Sequence, residues 1–142
     1  MSKNYVKLKD LKGFDDEFLN ALGELEQRIF ESYGQFMKPR DGEVEHSMFT
    51  EFKQNFGYDT SGRKYLRLVS GAFGGSASVW GFIAKSNFEV DSKRKTGPAK
   101  VVFKEGDLLK SAGWATPALN APRGNIFMED YRVQWTGPNY RF

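Results

Sequence analysis

Residues 101–136 have the sequence VVFKEGDLLKSAGWATPALNAPRGNIFMEDYRVQWT, and the fold depends on how this stretch turns. Its segment KEGD, residues 104–107, is typical of a turn after a strand, because Gly tolerates positive φ and Asp bonds its own local backbone. Pro117 and Pro122 each remove a backbone donor and push the preceding residue out of the α region. We therefore predict a built loop over residues 113–124, about twice the usual connection length, and loops of that length are often functional.

The composition favours a single domain. The chain has 142 residues, of which 39% are hydrophobic and 15% aromatic, so it can bury a core without covalent cross-links. It has no cysteine, which excludes disulfides, thiolate metal ligands and a thiol nucleophile. It contains no run of about 18 apolar residues, and its start MSKNYVKLKD lacks the apolar centre of a signal peptide. We expect one domain over residues 1–142, in a cytoplasm and without a membrane partner.

Charge is divided unevenly along the chain. Residues 1–60 hold 8 Lys or Arg against 12 Asp or Glu, whereas residues 61–142 hold 13 against 6. Part of the basic excess lies in the apolar-free run 91–98, DSKRKTGP, which predicts a loop. A basic second half suggests an anionic partner. The alternative is a basic surface that contacts only solvent.

The acidic first part predicts two helices. Apolar residues recur at steps of three and four over residues 15–33, which places them on one helical face. These residues are Phe18, Leu22, Leu25, Ile29 and Tyr33. Four-residue steps predict a second helix, with Asp41 as a plausible cap. The residues of its stripe are Val44, Met48, Phe52 and Phe56. We expect both aromatic faces to cover one side of a sheet; the alternative is a two-helix arm for oligomerisation.

The basic part, residues 61–142, is rich in strand-forming residues. The predicted strands are residues 64–70, 76–86, 88–90, 99–103, 125–128 and 131–134. The first two should form a hairpin, and so should the last two. Because helices come first and strands later, we predict an α+β fold with two N-terminal helices packed on a small curved antiparallel sheet or partial barrel.

The sequence contains no clear set of catalytic residues. His46 is the one histidine, and its spacing from Val44 turns it away from the apolar stripe, so we expect it on the solvated face. The Gly-rich run GAFGGSAS, residues 71–78, lacks the Gly-Lys-Ser/Thr ending of a phosphate-binding loop. We therefore expect a non-enzymatic protein with no metal and no cofactor.

A set of basic, polar and aromatic residues on the predicted sheet and loop is the candidate binding site. Its members are Lys64, Arg67, Trp80, Trp114, Arg123, Asn125, Arg132 and Trp135. Arginine meets phosphate bidentately while indole rings stack on bases, which suits single-stranded nucleic acid or a nucleotide. Arg123 lies between Pro122 and Gly124, whose backbone constraints should hold its guanidinium in place. The alternative is that the Trp residues belong to the core.

The segments GDLLKSAGWATPALNAPRGNIF and VQWTGPNY resemble a group of small proteins of unassigned function encoded by tailed bacteriophages. The resemblance covers about residues 62–140 and leaves out the predicted helices. It implies expression in the cytoplasm of an infected bacterium, and it favours DNA handling or interference with host defences. It implies no catalytic residue.

These observations leave several functions open. The first is a phage-type accessory protein that binds nucleic acid through its basic, aromatic C-terminal β surface. The second is a non-enzymatic inhibitor of a host protein, or a protein that sequesters a nucleotide signal in the long loop. The third is a structural component of the virion, and the fourth is an enzyme that transfers a phosphoryl group with the help of Lys or Arg and without a recognisable metal site. Steep weakening of binding by salt is expected of the first function, because phosphate contacts release counterions.

Overall fold

A computed structural model describes residues 5–39, 41–42, 44–74, 77–91, 99–114, 116–119 and 121–138. This part of the chain has an α+β fold, as predicted, with helices α1 (Asp16–Phe36) and α2 (Ser47–Asn55). Most of the predicted basic run, residues 92–98, lies outside the described residues. None of the helices in the described ranges is long and apolar enough to cross a membrane.

The strands form one large sheet and two small ones. They are β1 (Tyr5–Val6), β2 (Gly57–Asp59), β3 (Tyr65–Ser70), β4 (Ser78–Ala84), β5 (Phe88–Asp91), β6 (Lys100–Phe103), β7 (Asp107–Leu109), β8 (Gly124–Asn125), β9 (Val133–Gln134) and β10 (Gly137–Pro138). The large sheet has the order β1-β2-β3-β4-β7-β8, and its neighbouring strands pair antiparallel within the described residues. β5 pairs with β6, and β9 with β10. With β1 and β8 at opposite edges of these described strands, a partial barrel is not confirmed.

Helix α1 forms where the three- and four-residue periodicity predicts it. Asp15 caps its first turn, because its carboxylate accepts a hydrogen bond from the backbone N–H of Phe18 at 2.8 Å. The five predicted apolar residues are all buried, so this helical face is confirmed. All but Tyr33 pack on one face of the large sheet, against Leu66, Ile83 and Leu108. Tyr33 packs instead against α2 and Trp135. Burying each leucine there contributes about 1.5–3 kcal/mol to stability.

The opposite face of the large sheet is covered by the β5–β6 hairpin. Phe82 on β4 and Leu109 on β7 form a second buried cluster with Phe103 of β6. The rings of Phe88 and Phe103 stack at 5.0 Å between centroids. Because successive strand residues point to opposite faces, one sheet supports both clusters. The chain therefore has three layers at this point: α1, the large sheet and the β5–β6 hairpin.

Helix α2 differs from its prediction. It starts at Ser47, and its cap is His46, whose Nδ1 accepts the backbone N–H of Met48 at 3.1 Å. His46 is buried rather than solvated, while Val44 lies outside the helix and is fully exposed. The predicted stripe is therefore wrong at Val44, and Met48 is also exposed. α2 contacts α1 through Phe52, whose ring stacks on Tyr33 at 4.4 Å.

The turns of the C-terminal part are partly as predicted. The hairpin of β3 and β4 is confirmed, and so is the turn at residues 104–107, where Gly106 has a φ of 88° and Asp107 accepts the backbone N–H of Lys104. The predicted last hairpin is wrong. β8 pairs instead with β7, and β9 pairs with β10. Strands of two residues carry no alternation that a sequence pattern could reveal.

Candidate functional site

A short tongue leaves the sheet after β7, and we define it as residues 110–114 and 116–118. At its base the backbone N–H of Ala118 donates to the carbonyl of Lys110 at 2.7 Å. Ser111 and Pro117 form an isolated antiparallel bridge, and the N–H of Ala112 donates to the carbonyl of Thr116 at 2.9 Å. The loop predicted over residues 113–124 thus contains half of a hydrogen-bonded hairpin, which limits the positions that its tip can take.

Arg67 on β3 holds the tip of the tongue. Its Nη1 donates to the carbonyl oxygen of Trp114 at 2.9 Å, and its guanidinium lies 5.3 Å from the centroid of the indole ring. Its Nη2 forms an ion pair with Oδ2 of Asp59 at 2.5 Å. Trp114 nevertheless keeps 43% of its surface exposed. The indole is therefore oriented by the protein and still accessible to a ligand.

The position of Arg67 follows from the register of the sheet. Asp59, Arg67, Phe82 and Leu109 are successive cross-strand partners on β2, β3, β4 and β7. Burial alone raises the pKa of the Asp59 carboxyl, but hydrogen bonds from Ser61 and the charge of Arg67 outweigh burial and hold it below its ordinary value. Asp59 stays ionised at neutral pH and fixes the guanidinium beneath the tongue.

A pocket of about 250 Å³ opens at the base of the tongue. The described residues that line it are Trp80, Lys110, Ser111, Arg123, Gln134, Thr136, Gly137 and Pro138. They include two cations and two hydroxyls but no carboxylate. Three other pockets in the described ranges each include at least one carboxylate. The electrostatic character of this pocket therefore favours an anion.

The pocket exists because two strands approach each other closely. β10 packs against β4 at Gly81, where a Cβ would stand 3.2 Å from the ring of Pro138 and 3.0 Å from the carbonyl of Leu109. The indole N–H of Trp80 donates to the carbonyl of Gln134 at 2.8 Å, and this bond fixes the side of the pocket that these two residues line. Arg123 enters from the other side, where its backbone N–H donates to the carbonyl of Leu108 at 2.7 Å.

The structure separates the predicted site residues into groups. Arg67 and Trp114 meet at the tip of the tongue, and Trp80 and Arg123 meet in the pocket. Asn125 is used by the protein itself: its amide donates to Asp107 and to the carbonyl of Glu105, and its oxygen accepts the N–H of Phe127.

The remaining predicted residues do not join either group. Lys64 is exposed, with its Nζ 4.8 Å from the ring centroid of Phe88, and Arg132 is exposed as well. Trp135 packs against α1, with its ring 5.0 Å from that of Tyr33. The prediction that these residues form one basic, aromatic surface is therefore corrected.

Two of the predicted indoles are unsuited to base stacking. Trp80 is buried and Trp135 packs into the aromatic cluster between α1 and α2. Arg123 is also buried, with 7% of its surface exposed, so a ligand must enter the pocket to reach it. Of the pair formed by Trp114 and Arg67, Trp114 is the exposed member.

Sequence reasoning missed Lys110, Ser111, Thr136 and Asp59. Lys110 could have been noticed as a cation three residues before the predicted loop. Ser111 and Thr136 carry no signal of their own, because they meet only when β10 folds back on β4. Asp59 could be paired with Arg67 only by knowing the register of β2 and β3.

No family model, no curated protein and no solved structure matches the chain. The functional argument therefore depends on the geometry of the tongue and the pocket.

Proposed function

We propose that this chain is a non-catalytic accessory protein that binds single-stranded nucleic acid at the tip of its tongue. The observation that carries the proposal is the indole of Trp114, which is 43% exposed and is held by Arg67 at 5.3 Å. An aromatic ring of this kind stacks on a nucleic-acid base whatever the sequence, and such stacking contributes about 1–3 kcal/mol per base.

The surroundings of Trp114 supply positive charge for the phosphates. Lys110 is exposed and lies four residues away, so its Cα is at most about 14 Å from that of Trp114. Arg63 and Lys64 are exposed in the bend before β3, outside the group at the tip of the tongue, and they add positive charge to the same half of the chain. Phosphate contacts by such residues supply most of the affinity for nucleic acid, while the ring sets where a base lies.

The setting of this function is the infected bacterial cell, on the strength of the resemblance of residues 62–140 to small tailed-phage proteins. A protein in that setting acts in the host cytoplasm on phage or host nucleic acid. The acidic helical part, residues 1–60, is then support for the β-rich part, or a contact between copies of the chain.

The direct test is fluorescence polarisation with a labelled oligodeoxythymidine and its RNA counterpart. We expect binding at about 50 mM salt, with log K falling linearly against log salt at a slope near −0.7 for each phosphate contact. Trp114→Ala should weaken binding by about 5- to 150-fold, which corresponds to the loss of one stacked base.

Phe36→Ala is the matched control, because Phe36 is an aromatic residue of even greater exposure at the end of α1, where it packs on Tyr33 and Trp135. It should leave the affinity within about twofold, a difference of less than 0.5 kcal/mol. An absence of binding to either oligonucleotide at about 50 mM salt contradicts the proposal. Equal loss in both variants also contradicts it, because the surface would then bind without using the tongue.

A further inference from the structure

The pocket at the base of the tongue holds two cations from different parts of the chain. Lys110 is exposed at its mouth, and Arg123 is buried within it with 7% of its surface exposed. We infer that this pocket binds a terminal phosphate group, the phosphate monoester of a nucleotide or of an oligonucleotide end. The inference does not require Trp114 to stack on a base, so it stands or falls separately from the function proposed above.

Charge favours a monoester over a phosphodiester. A monoester carries a charge of about −1.5 to −2 at neutral pH, whereas each phosphate inside a nucleic-acid strand carries a single negative charge. Lys110 and Arg123 both line the pocket, and cations attract a dianion more strongly than a monoanion. A guanidinium also meets phosphate oxygens bidentately, which a lysine ammonium cannot do.

The shape of the pocket also favours a chain end. Its volume of about 250 Å³ is smaller than the roughly 300–1,000 Å³ of sites that enclose a whole drug-sized ligand. Trp80 and the close contact of β10 with β4 form its walls. An internal phosphate is flanked by a sugar on each side, and both would have to enter for its oxygens to reach Arg123. A terminal phosphate enters alone.

The hydroxyl groups of the pocket complete the site. Ser111 lies at the bridge that starts the tongue, and Thr136 precedes β10, so the pocket takes one hydroxyl from each side. A hydroxyl can donate to a phosphate oxygen. The indole N–H of Trp80 is already bonded to the carbonyl of Gln134, so Trp80 contributes a wall rather than a donor.

The experiment measures ligand-induced stabilisation in thermal unfolding, because a ligand that binds only the folded state raises the melting temperature with its concentration. The probes are inorganic phosphate, adenosine 5′-monophosphate and sulfate, each at constant ionic strength adjusted with sodium chloride. We expect saturable stabilisation by all three. For the nucleotide, the affinity should fall about tenfold from pH 7.5 to pH 5, because the second ionisation of a phosphate ester lies near pH 6. Sulfate stays doubly charged over this pH range, so the affinity for sulfate should change little.

Lys110→Gln is the test variant, because Lys110 is exposed and its loss should not affect folding. The variant should weaken the binding of adenosine monophosphate about tenfold, as expected for the loss of one charge-assisted hydrogen bond. Lys104→Gln is the matched control, an exposed lysine that does not line this pocket, and it should change the affinity less than twofold. Equal effects of the two variants, or stabilisation that rises without saturation, would overturn the inference in favour of general screening of the basic half.

Two oligonucleotides distinguish the sources of the phosphate. If the ligand is a strand end, a 5′-phosphorylated oligodeoxythymidine should bind more tightly than the same strand with a 5′-hydroxyl, and Lys110→Gln should reduce that difference. If the ligand is a free nucleotide, the two strands should bind with the same affinity, and the affinity for adenosine monophosphate should still depend on Lys110. That second result, together with a strand affinity unaffected by Trp114→Ala, would support the pocket and refute the nucleic-acid function.

Discussion

Replacing Arg67 with methionine should loosen the tongue and destabilise the fold. Methionine fills much of the same volume but removes the ion pair with Asp59, the hydrogen bond to the carbonyl of Trp114 and the contact with the indole. Breaking a buried ion pair by removing one partner costs about 3–5 kcal/mol. The side chains of Arg67 and Asp59 keep 18% and 10% of their surface exposed, so water partly solvates the remaining carboxylate, and we expect a loss of about 2–4 kcal/mol.

Urea denaturation followed by circular dichroism measures this loss, since a shift of the midpoint with an unchanged slope reports stability alone. A double-mutant cycle with Asp59→Asn isolates the pair. The double variant leaves no unpaired charge, so it should be more stable than the sum of the single losses predicts, with a coupling energy of about 1–3 kcal/mol.

A loss below about 0.5 kcal/mol for Arg67→Met, or single effects that add within about 0.5 kcal/mol, would refute this reasoning. The ion pair would then be a surface contact of little value. Arg67→Met should also weaken oligonucleotide binding, because the tip of the tongue would no longer be held beside the sheet.

Two further predictions concern the packing of α1. Leu25→Ala should lower the free energy of unfolding by about 2–5 kcal/mol, because Leu25 is fully buried between α1 and the sheet and its loss leaves a cavity; a small shift of the urea midpoint would contradict that packing. Glu26 accepts a hydrogen bond from the hydroxyl of Tyr58 at 2.9 Å, and burial raises its pKa more than Tyr58 and Lys7 lower it. Its carboxyl therefore favours folding below the ordinary pKa of about 4.3, and this contribution is lost as pH rises through the folded-state pKa. Glu26→Gln should gain stability relative to wild type between about pH 4 and pH 7, and a difference independent of pH in urea unfolding would show that burial does not govern this group.

The helical periodicity and the strand-forming runs carry enough information to predict α1 and the β3–β4 hairpin. α1 is long enough for its buried face to repeat several times, which makes the helical pattern reliable. The hairpin is predictable for another reason, because two runs of strand-forming residues flank a Gly-rich segment. The turn at residues 104–107 was equally predictable, because Gly106 and Asp107 each have one local role there.

The candidate site was harder to predict because its residues meet through tertiary contacts. Asp59 and Arg67 are paired by the register of two strands, and Lys110 and Arg123 line one pocket from the two ends of a loop whose path no local pattern specifies. Trp80 is buried in the core cluster that also contains the apolar face of α1, and a basic and aromatic composition does not reveal this burial.

Photochemical cross-linking tests the central claim, that the tongue is where nucleic acid binds, most directly. A bromodeoxyuridine-substituted oligonucleotide is irradiated with the full-length protein, and the adducts are mapped by mass spectrometry after trypsin digestion. Cleavage after Lys110 and Arg123 isolates the peptide SAGWATPALNAPR, residues 111–123, which contains Trp114 and neither of the other Trp residues. The account predicts an adduct on Trp114 that disappears when excess unlabelled strand is added. Adducts confined to the helical part, residues 1–60, would contradict it.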